Sequence, residues 1–326
     1  MGAMKYRTFG KAGFEVSEVA YGAWGLGGLQ WLGGTDAEAR RALQRAFSLG
    51  LNFIDTALAY GDGHSERLVG EAVRGAGRPV RVASKVPPKN QQWPARRGIG
   101  LGEVFPYEYI VACTEQSLRN LGLEALDLQQ LHVWNPEWFG CDDWRRAFRD
   151  LKESGKVRAV GVLINDHDPD SALELVRSGL VDAVQVIYNI FDQSPERRLL
   201  PLALEMGVGV IARVPFDEGA LTGAITATTS FDPDDFRAEY FAGDRPRQVA
   251  ERVAALRRDL EGVPGTLPEI ALRFCLSHEA VSTVIPGMRT VRHVEANLAV
   301  SDRGPLDEAT LAILRRHAWD KNFYGE

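Results

Sequence analysis

Four residues in this chain have the types needed to place a proton on a reacting oxygen: Asp55, Tyr60, Lys85 and His132. A tyrosine keeps its proton at neutral pH, because its ordinary pKa is about 10. It becomes a useful acid only when a neighbouring cation favours the phenolate. Lys85 is the candidate cation, and Asp55 is the carboxylate that would hold it charged and in position. His132 could donate a hydrogen bond to the same oxygen or relay a proton. Together the four can protonate a carbonyl oxygen while a hydride reaches its carbon.

These residues lie far apart in sequence, so the fold must gather them. Asp55 ends the apolar run Asn52–Asp55, and Tyr60 follows on a Gly-rich turn. Lys85 ends Val80–Lys85, and His132 ends Leu126–His132. Further β-type runs are expected at Glu18–Tyr21, Ala159–Leu163, Ala183–Tyr188, Val208–Arg213 and Val281–Ile285. Helix-period segments separate them: Thr35–Leu49, Tyr107–Leu121, Asp142–Ser154, Pro169–Ser178, Pro195–Glu205 and Pro268–Ser277. Several of these open with Ser, Thr, Asp or Pro, and Thr35–Glu38 has capping-box spacing. Runs such as Val208–Ala212 are too apolar for a sheet with one wet face and suit a parallel sheet buried on both sides. Eight alternating units predict a (β/α)8 TIM barrel, in which residues at the C-terminal strand ends share one mouth. A doubly wound sheet is the rival, but Tyr21–Gly28 is glycine-rich without a clear helix after it and fits the dinucleotide-binding turn poorly. Lys5–Val16 reads as an N-terminal hairpin, and long loops are expected at 87–105, at 217–247 and after Asp302.

The bulk numbers bound the alternatives. The 326 residues, 45% of them hydrophobic, suffice for a large core and are expected to form a single barrel domain over 1–326. A charge of −6, from 38 basic and 44 acidic residues, offers no nucleic-acid footprint. No apolar run reaches the roughly 18 residues of a membrane span, and the N-terminus lacks a signal-peptide profile. Three scattered cysteines without a Cys-x-x-Cys suit a reduced, cytoplasmic setting. Met1–Ala3 read as a vector-derived start before a native Met4. Asp55, His132 and Glu218 could also be imagined as metal ligands, but the spacing does not support that, and no metal is expected.

The local sequences point to one family. Phe53-Ile54-Asp55-Thr56-Ala57, Tyr60-Gly61, Ser65-Glu66 and Gly70 form a long pattern. With Lys85 and His132 following in order, it resembles the aldo-keto reductase family from Lys5 to about Val300. Each residue alone has a plainer reading: Asp55 a turn cap, Tyr60 a surface tyrosine, Lys85 a solvated loop start, His132 a core histidine. Their joint order favours the catalytic one.

The resemblance implies an NADP(H)-dependent reductase of aldehydes or ketones, with sugar-like or aromatic carbonyls as candidates. It also implies that the hairpin closes the barrel bottom and that a nicotinamide cofactor lies across the mouth. Ile211–Phe216 resembles the family's strand-7 motif, with Arg213 where an aromatic usually stacks under the nicotinamide. The alternative is an Arg213 paired to Asp217 or Glu218. The implied cofactor contacts are Trp24, Arg213, Val214, Pro215, Phe216, Gly219, Leu221 and Gly223, the last group through backbone N–H groups on pyrophosphate. Asn165 and Gln185 would hold the carboxamide, with Leu163 in the usual Ser slot. Pro286, Gly287, Met288, Arg289, His293 and Asn297 would surround the adenosine end. Arg289 is the expected partner of a 2′-phosphate, favouring NADP(H) over NAD(H). His293 and Ala296 replace the family's usual Arg or Gln and Glu. Trp24, Trp93 and Trp134, with Trp138 and Phe139 nearby, suggest an aromatic substrate pocket. A different class remains conceivable: an NADP(H)-binding regulatory subunit with little turnover. The partner expected is a small carbonyl compound, with neither nucleic acid nor membrane; the sequence does not set the oligomeric state.

Overall fold

The computed structural model describes residues 4–324, so Met1–Ala3 lie outside the described residues. An antiparallel pair, β1 (Tyr6–Thr8) and β2 (Glu15–Ser17), precedes eight parallel strands. These are β3 (Tyr21–Gly22), β4 (Phe53–Asp55), β5 (Arg81–Val86), β6 (Leu126–Leu131), β7 (Val157–Leu163), β8 (Ala183–Ile187), β9 (Gly209–Arg213) and β10 (Val281–Val284). Each pairs with its sequence neighbour. Bridges Val19–Val284 and Gly22–Gly287 join β10 back to β3 and close the ring. The first strand is thus shorter than expected; Glu18–Ala20 contributes isolated bonds, including Ala20 N–H to the Val284 carbonyl at 2.8 Å. The architecture is a (β/α)8 barrel.

Helices alternate with the strands and pack outside them. Thr35 caps Asp36–Ser48 by accepting from the Glu38 N–H, and Tyr107–Leu121 has the expected bounds. Pro169–Ser178 and Pro195–Glu205 each begin as a 3-10 turn before the α-helical part. Helices His64–Arg74, Arg245–Asp259 and Glu308–Arg315 add to those expected, the last in the stretch read as a loop after Asp302.

The strand period of two sorts the lumen into layers. Phe53, Ala83, Leu128, Ala159, Ala183 and Ile211 form an apolar floor with Phe9 from the hairpin. Phe9 is fully buried and lies 5.5 Å, ring to ring, from Phe53. The alanines leave room for these rings, and the hairpin plugs the bottom. Two residues further along each strand stand Asp55, Lys85, Gln130, Gly161, Gln185 and Arg213. Five of these six are polar, so the lumen changes from apolar floor to polar mouth within one pleat.

Candidate active site

Asp55, Lys85, Tyr60 and His132 meet at the mouth. Lys85 is fully buried at the end of β5, and Asp55 is 2% exposed at the end of β4. The Lys85 Nζ lies 2.5 Å from Asp55 Oδ2 and also donates to the Thr56 carbonyl at 2.8 Å. Its third contact is the Tyr60 hydroxyl at 3.2 Å, with the ammonium 4.8 Å from the Tyr60 ring centre. Gly61, at φ +64°, makes the turn after Tyr60; a Cβ there would come within 2.2 Å of the Gly27 carbonyl oxygen. The His132 ring lies 5.7 Å from the Tyr60 ring, edge-on, and its Nδ1 is buried without a partner.

Electrostatics assign the protonation states. Burial raises the Tyr60 pKa, while Lys85 opposes it. The lysine thus acts in the expected direction, yet desolvation outweighs it. Burial lowers the Lys85 pKa, but Asp55 and Tyr60 outweigh that effect and the net shift is upward. Burial, then the charges of Lys85 and Arg213, push His132 well below the usual histidine range. His132 is therefore a neutral imidazole with one N–H, suited to donating a hydrogen bond and unsuited to serving as a cationic acid. Of its two expected roles, the lowered pKa favours hydrogen-bond donation.

The signature residues beyond these four build the scaffold. Thr56 Oγ1 and Ser65 Oγ are 2.9 Å apart, and Ser65 donates to the Ala23 carbonyl. Buried Glu66 accepts from Ser84 at 2.6 Å and from Asn120 at 2.8 Å. These bonds pin the helix His64–Arg74 to the strand that carries Lys85.

Several expected contacts take other partners. The Arg213 guanidinium pairs with Asp166 and donates to the Ile164 carbonyl at 3.2 Å; it does not pair with Asp217 or Glu218. Those two carboxylates instead reach the chain's end. Lys321 donates to Asp217 at 2.9 Å, and the Tyr324 hydroxyl donates to Glu218 at 2.6 Å. Burial pushes the Glu218 pKa up to about 7. Gln185 donates to Asp55 Oδ1 at 2.8 Å. The Asn165 side chain exchanges two hydrogen bonds, 3.3 and 3.1 Å, with the backbone of Ala95. Trp134 is a correction: it is fully buried, donates to the Ser171 carbonyl and packs on Trp138 and Trp144. It belongs to the hydrophobic core. Met288 and Leu221 also bury their side chains completely, leaving only backbone for a ligand.

Other expected positions lie around the mouth. Trp24 packs on Trp31 and Phe236, and its ring is 6.5 Å from Tyr60. Trp24, Gly27, Leu29, Gln30, Ala59, Tyr60 and Gly61 line a cavity of about 100 Å³. Trp93 is 44% exposed and meets His132 edge-on at 5.8 Å. Val214 has φ +54°, and Asp217 and Glu218 also adopt positive φ, so the segment Val214–Gly223 turns sharply over the end of β9. Arg289 is half-buried and donates to the Leu32 carbonyl at 2.5 Å. His293 is exposed on the helix Val291–Leu298, and Asn297 is buried there. A larger cavity of about 330 Å³ lies elsewhere, between Thr222, Arg257 and the start of the helix Leu267–Ser277. Among the described residues no group of three or more His, Cys, Asp or Glu side chains gathers as a metal site, and no helix is long and apolar enough to cross a membrane.

The residues suit a nicotinamide cofactor in part. Gly219 and Gly287 have open space where a side chain would stand, so a ligand can approach their backbone. The buried Arg213 Nε has no partner. Against this, Asn165 must leave Ala95, and Arg289 must leave Leu32, to serve a ligand through the groups named above.

The chain matches known proteins over nearly its whole length. The model of the Aldo/keto reductase family covers residues 18–318. Aldo-keto reductase YhdN of Bacillus subtilis is 28% identical, over 90% of this chain and 87% of that protein. The NADH-specific methylglyoxal reductase of Escherichia coli is 27% identical, over 97% and 98% of the two chains. The holo form of aldo-keto reductase AKR11C1 from Bacillus halodurans superposes with a TM-score of 0.76 and 28% identity, covering 97% of this chain and 96% of that one. The glycerol dehydrogenase AKR11B4 from Gluconobacter oxydans gives 0.77 at 28% identity, covering 99% and 98%. With the buried Asp55–Lys85–Tyr60 contacts at the mouth of a closed barrel, these matches place the chain in the aldo/keto reductase family.

Proposed function

We propose that this protein reduces aldehydes or ketones to alcohols with NADP(H), taking the proton from Tyr60. The supporting observation is the unbroken contact chain from Asp55 Oδ2 through Lys85 Nζ to the Tyr60 hydroxyl, beside a neutral His132. A nicotinamide cofactor would supply hydride to the carbonyl carbon. Tyr60 donates its proton to the carbonyl oxygen as negative charge builds there. The phenolate left behind is stabilised by the Lys85 ammonium, which Asp55 keeps charged. His132 donates a second hydrogen bond to the same oxygen and orients the substrate. Trp24 and Trp93 wall the approach and suit apolar or aromatic carbonyls.

The choice of NADP(H) rests on Arg289. It is half-buried, donates to the Leu32 carbonyl and forms no direct ion pair among the described residues, although the charges of Asp235 and Glu38 reach it. The similarity to an NADH-specific E. coli enzyme makes this the point to test. Tryptophan-fluorescence titration with NADPH and NADH should saturate with both, more tightly with NADPH. Replacing Arg289 by Ala should abolish that difference. Equal affinities in the unaltered protein would reject the Arg289 role and leave the reductase reading intact. A panel of aldehydes and ketones then tests turnover; failure of all of them, with a stoichiometric partner captured instead, would favour a regulatory role.

A further inference from the structure

We infer that Gln130 is a positioning residue, forming with Gln185 a two-amide clamp that fixes the Asp55 carboxylate beneath Lys85. The inference rests on the reductase reading above. Asp55 divides its oxygens between two tasks. Oδ2 takes the Lys85 ammonium, while Oδ1 accepts from Gln185 at 2.8 Å and from Gln130 at 3.3 Å. Both glutamines are buried, and they reach Asp55 from β6 and β8, so three strands meet on one carboxylate. Gln130 pairs in register with Lys85 on one side and Gly161 on the other. Gly161 can carry no side chain, because a Cβ there would come within 2.6 Å of the Ala183 carbonyl oxygen.

Gln130 is a poor choice for stability alone. It stands two residues above Leu128 of the apolar floor, in a lumen where a leucine could pack. Its Oε1 is buried without a hydrogen-bond partner, and an unsatisfied buried carbonyl is destabilising. A residue that keeps one end unsatisfied while giving its other end to the Asp55 carboxylate fits a functional site better than a packing site. The clamp holds the carboxylate plane and stabilises its negative charge with neutral donors. Without it, the negative field at Asp55 is less compensated. That field raises the proton affinity of Tyr60, making the phenol a weaker acid.

The test compares Gln130→Leu, and Gln130→Met as a near-isosteric second variant, with the unaltered chain and with Tyr60→Phe. The fastest substrate of a carbonyl panel and its alcohol product are used. The clamp predicts a kcat loss of roughly tenfold to a hundredfold, the range for hydrogen bonds to charged groups. KM should be unchanged and the melting temperature equal or higher. The rise of alcohol oxidation with pH, which follows phenolate formation, should move up by about one pH unit. A kcat within twofold of the unaltered chain would overturn the clamp, as would a kcat loss that accompanies a lowered melting temperature and an unmoved pH profile. Full turnover in Tyr60→Phe would instead overturn Tyr60 as the proton donor, and the clamp with it. Loss of turnover in Tyr60→Phe beside unaltered Gln130 variants would sink the clamp alone.

Discussion

Two halves of the barrel mouth hold buried charge in different ways. On the β4–β6 side, Lys85 meets Asp55 and Tyr60 through residues set at consecutive strand ends. On the β7–β9 side, Arg213 meets Asp166, Glu218 meets Tyr324, and Asp217 meets Lys321. In the first cluster Asp55 and Lys85 are held by strand register, with Tyr60 on the turn after β4. The second is assembled from loops and the last residues of the chain, with the tail strapped across a segment of positive φ. Tyr240 and Arg245 add to the strap: Lys321 donates to the Tyr240 hydroxyl at 2.9 Å, and Arg245 donates to the Phe323 carbonyl at 3.0 Å. On the proposed mechanism, the register-built half carries the proton chemistry, while the loop-built half is held in place by the tail.

Substitutions can break this division. Lys85→Met should have the largest effect, because it removes the cation that tunes Tyr60 and leaves Asp55 buried and unpaired. Turnover should fall by about 10²–10⁴-fold, with stability lowered by about 3–5 kcal/mol; steady-state kinetics and denaturant unfolding measure both. Asp166→Asn removes the carboxylate paired with Arg213, which keeps its bond to the Ile164 carbonyl; it should cost about 1–3 kcal/mol and lower kcat far less. Equal kcat losses in the two variants would erase the distinction between the halves.

Glu218→Gln sharpens the second half through pH. Its folded pKa of about 7 lies above the ordinary 4.5, so the folded state holds the proton more tightly. That carboxyl favours folding at acid pH and weighs against it as pH rises through about 7. Replacement by Gln should therefore raise the melting temperature progressively between pH 4.5 and about 7, with no further gain above that. A gain independent of pH would contradict the assignment. The smallest expected effect is that of Trp93→Ala, which should raise KM for aromatic carbonyls several-fold, with the melting temperature nearly constant because Trp93 is half-exposed.

How much was legible follows the same division. Asp55, Lys85 and His132 could be placed because each ends an apolar run, and a parallel barrel brings strand ends together whatever lies between them. Tyr60 was legible through the pattern around it. Arg213 was placed on its strand, but its partner was not: Asp217 and Glu218 are near in sequence, whereas Asp166 comes from the loop after β7, and such pairings are set by tertiary packing. Tyr324 and Lys321 lie in the long segment expected after Asp302, but their partners Glu218 and Asp217 are about a hundred residues away and are set by tertiary packing. Trp134 misled because it follows His132 directly, and a turn of the chain separates mouth from core within two residues. Gln130 had a signal that went unused. A glutamine at the lumen-facing phase of an otherwise apolar strand needs a buried partner, as Gln185 does.

The central claim is that Tyr60 supplies the proton. The most direct measurement is turnover of Tyr60→Phe on the best carbonyl substrate, with NADPH affinity measured by fluorescence on the same sample. The account predicts NADPH binding within a few-fold of the unaltered protein and turnover reduced by about 10²–10⁴-fold. Undiminished turnover with normal binding would contradict it and move the proton donor to another group at the mouth.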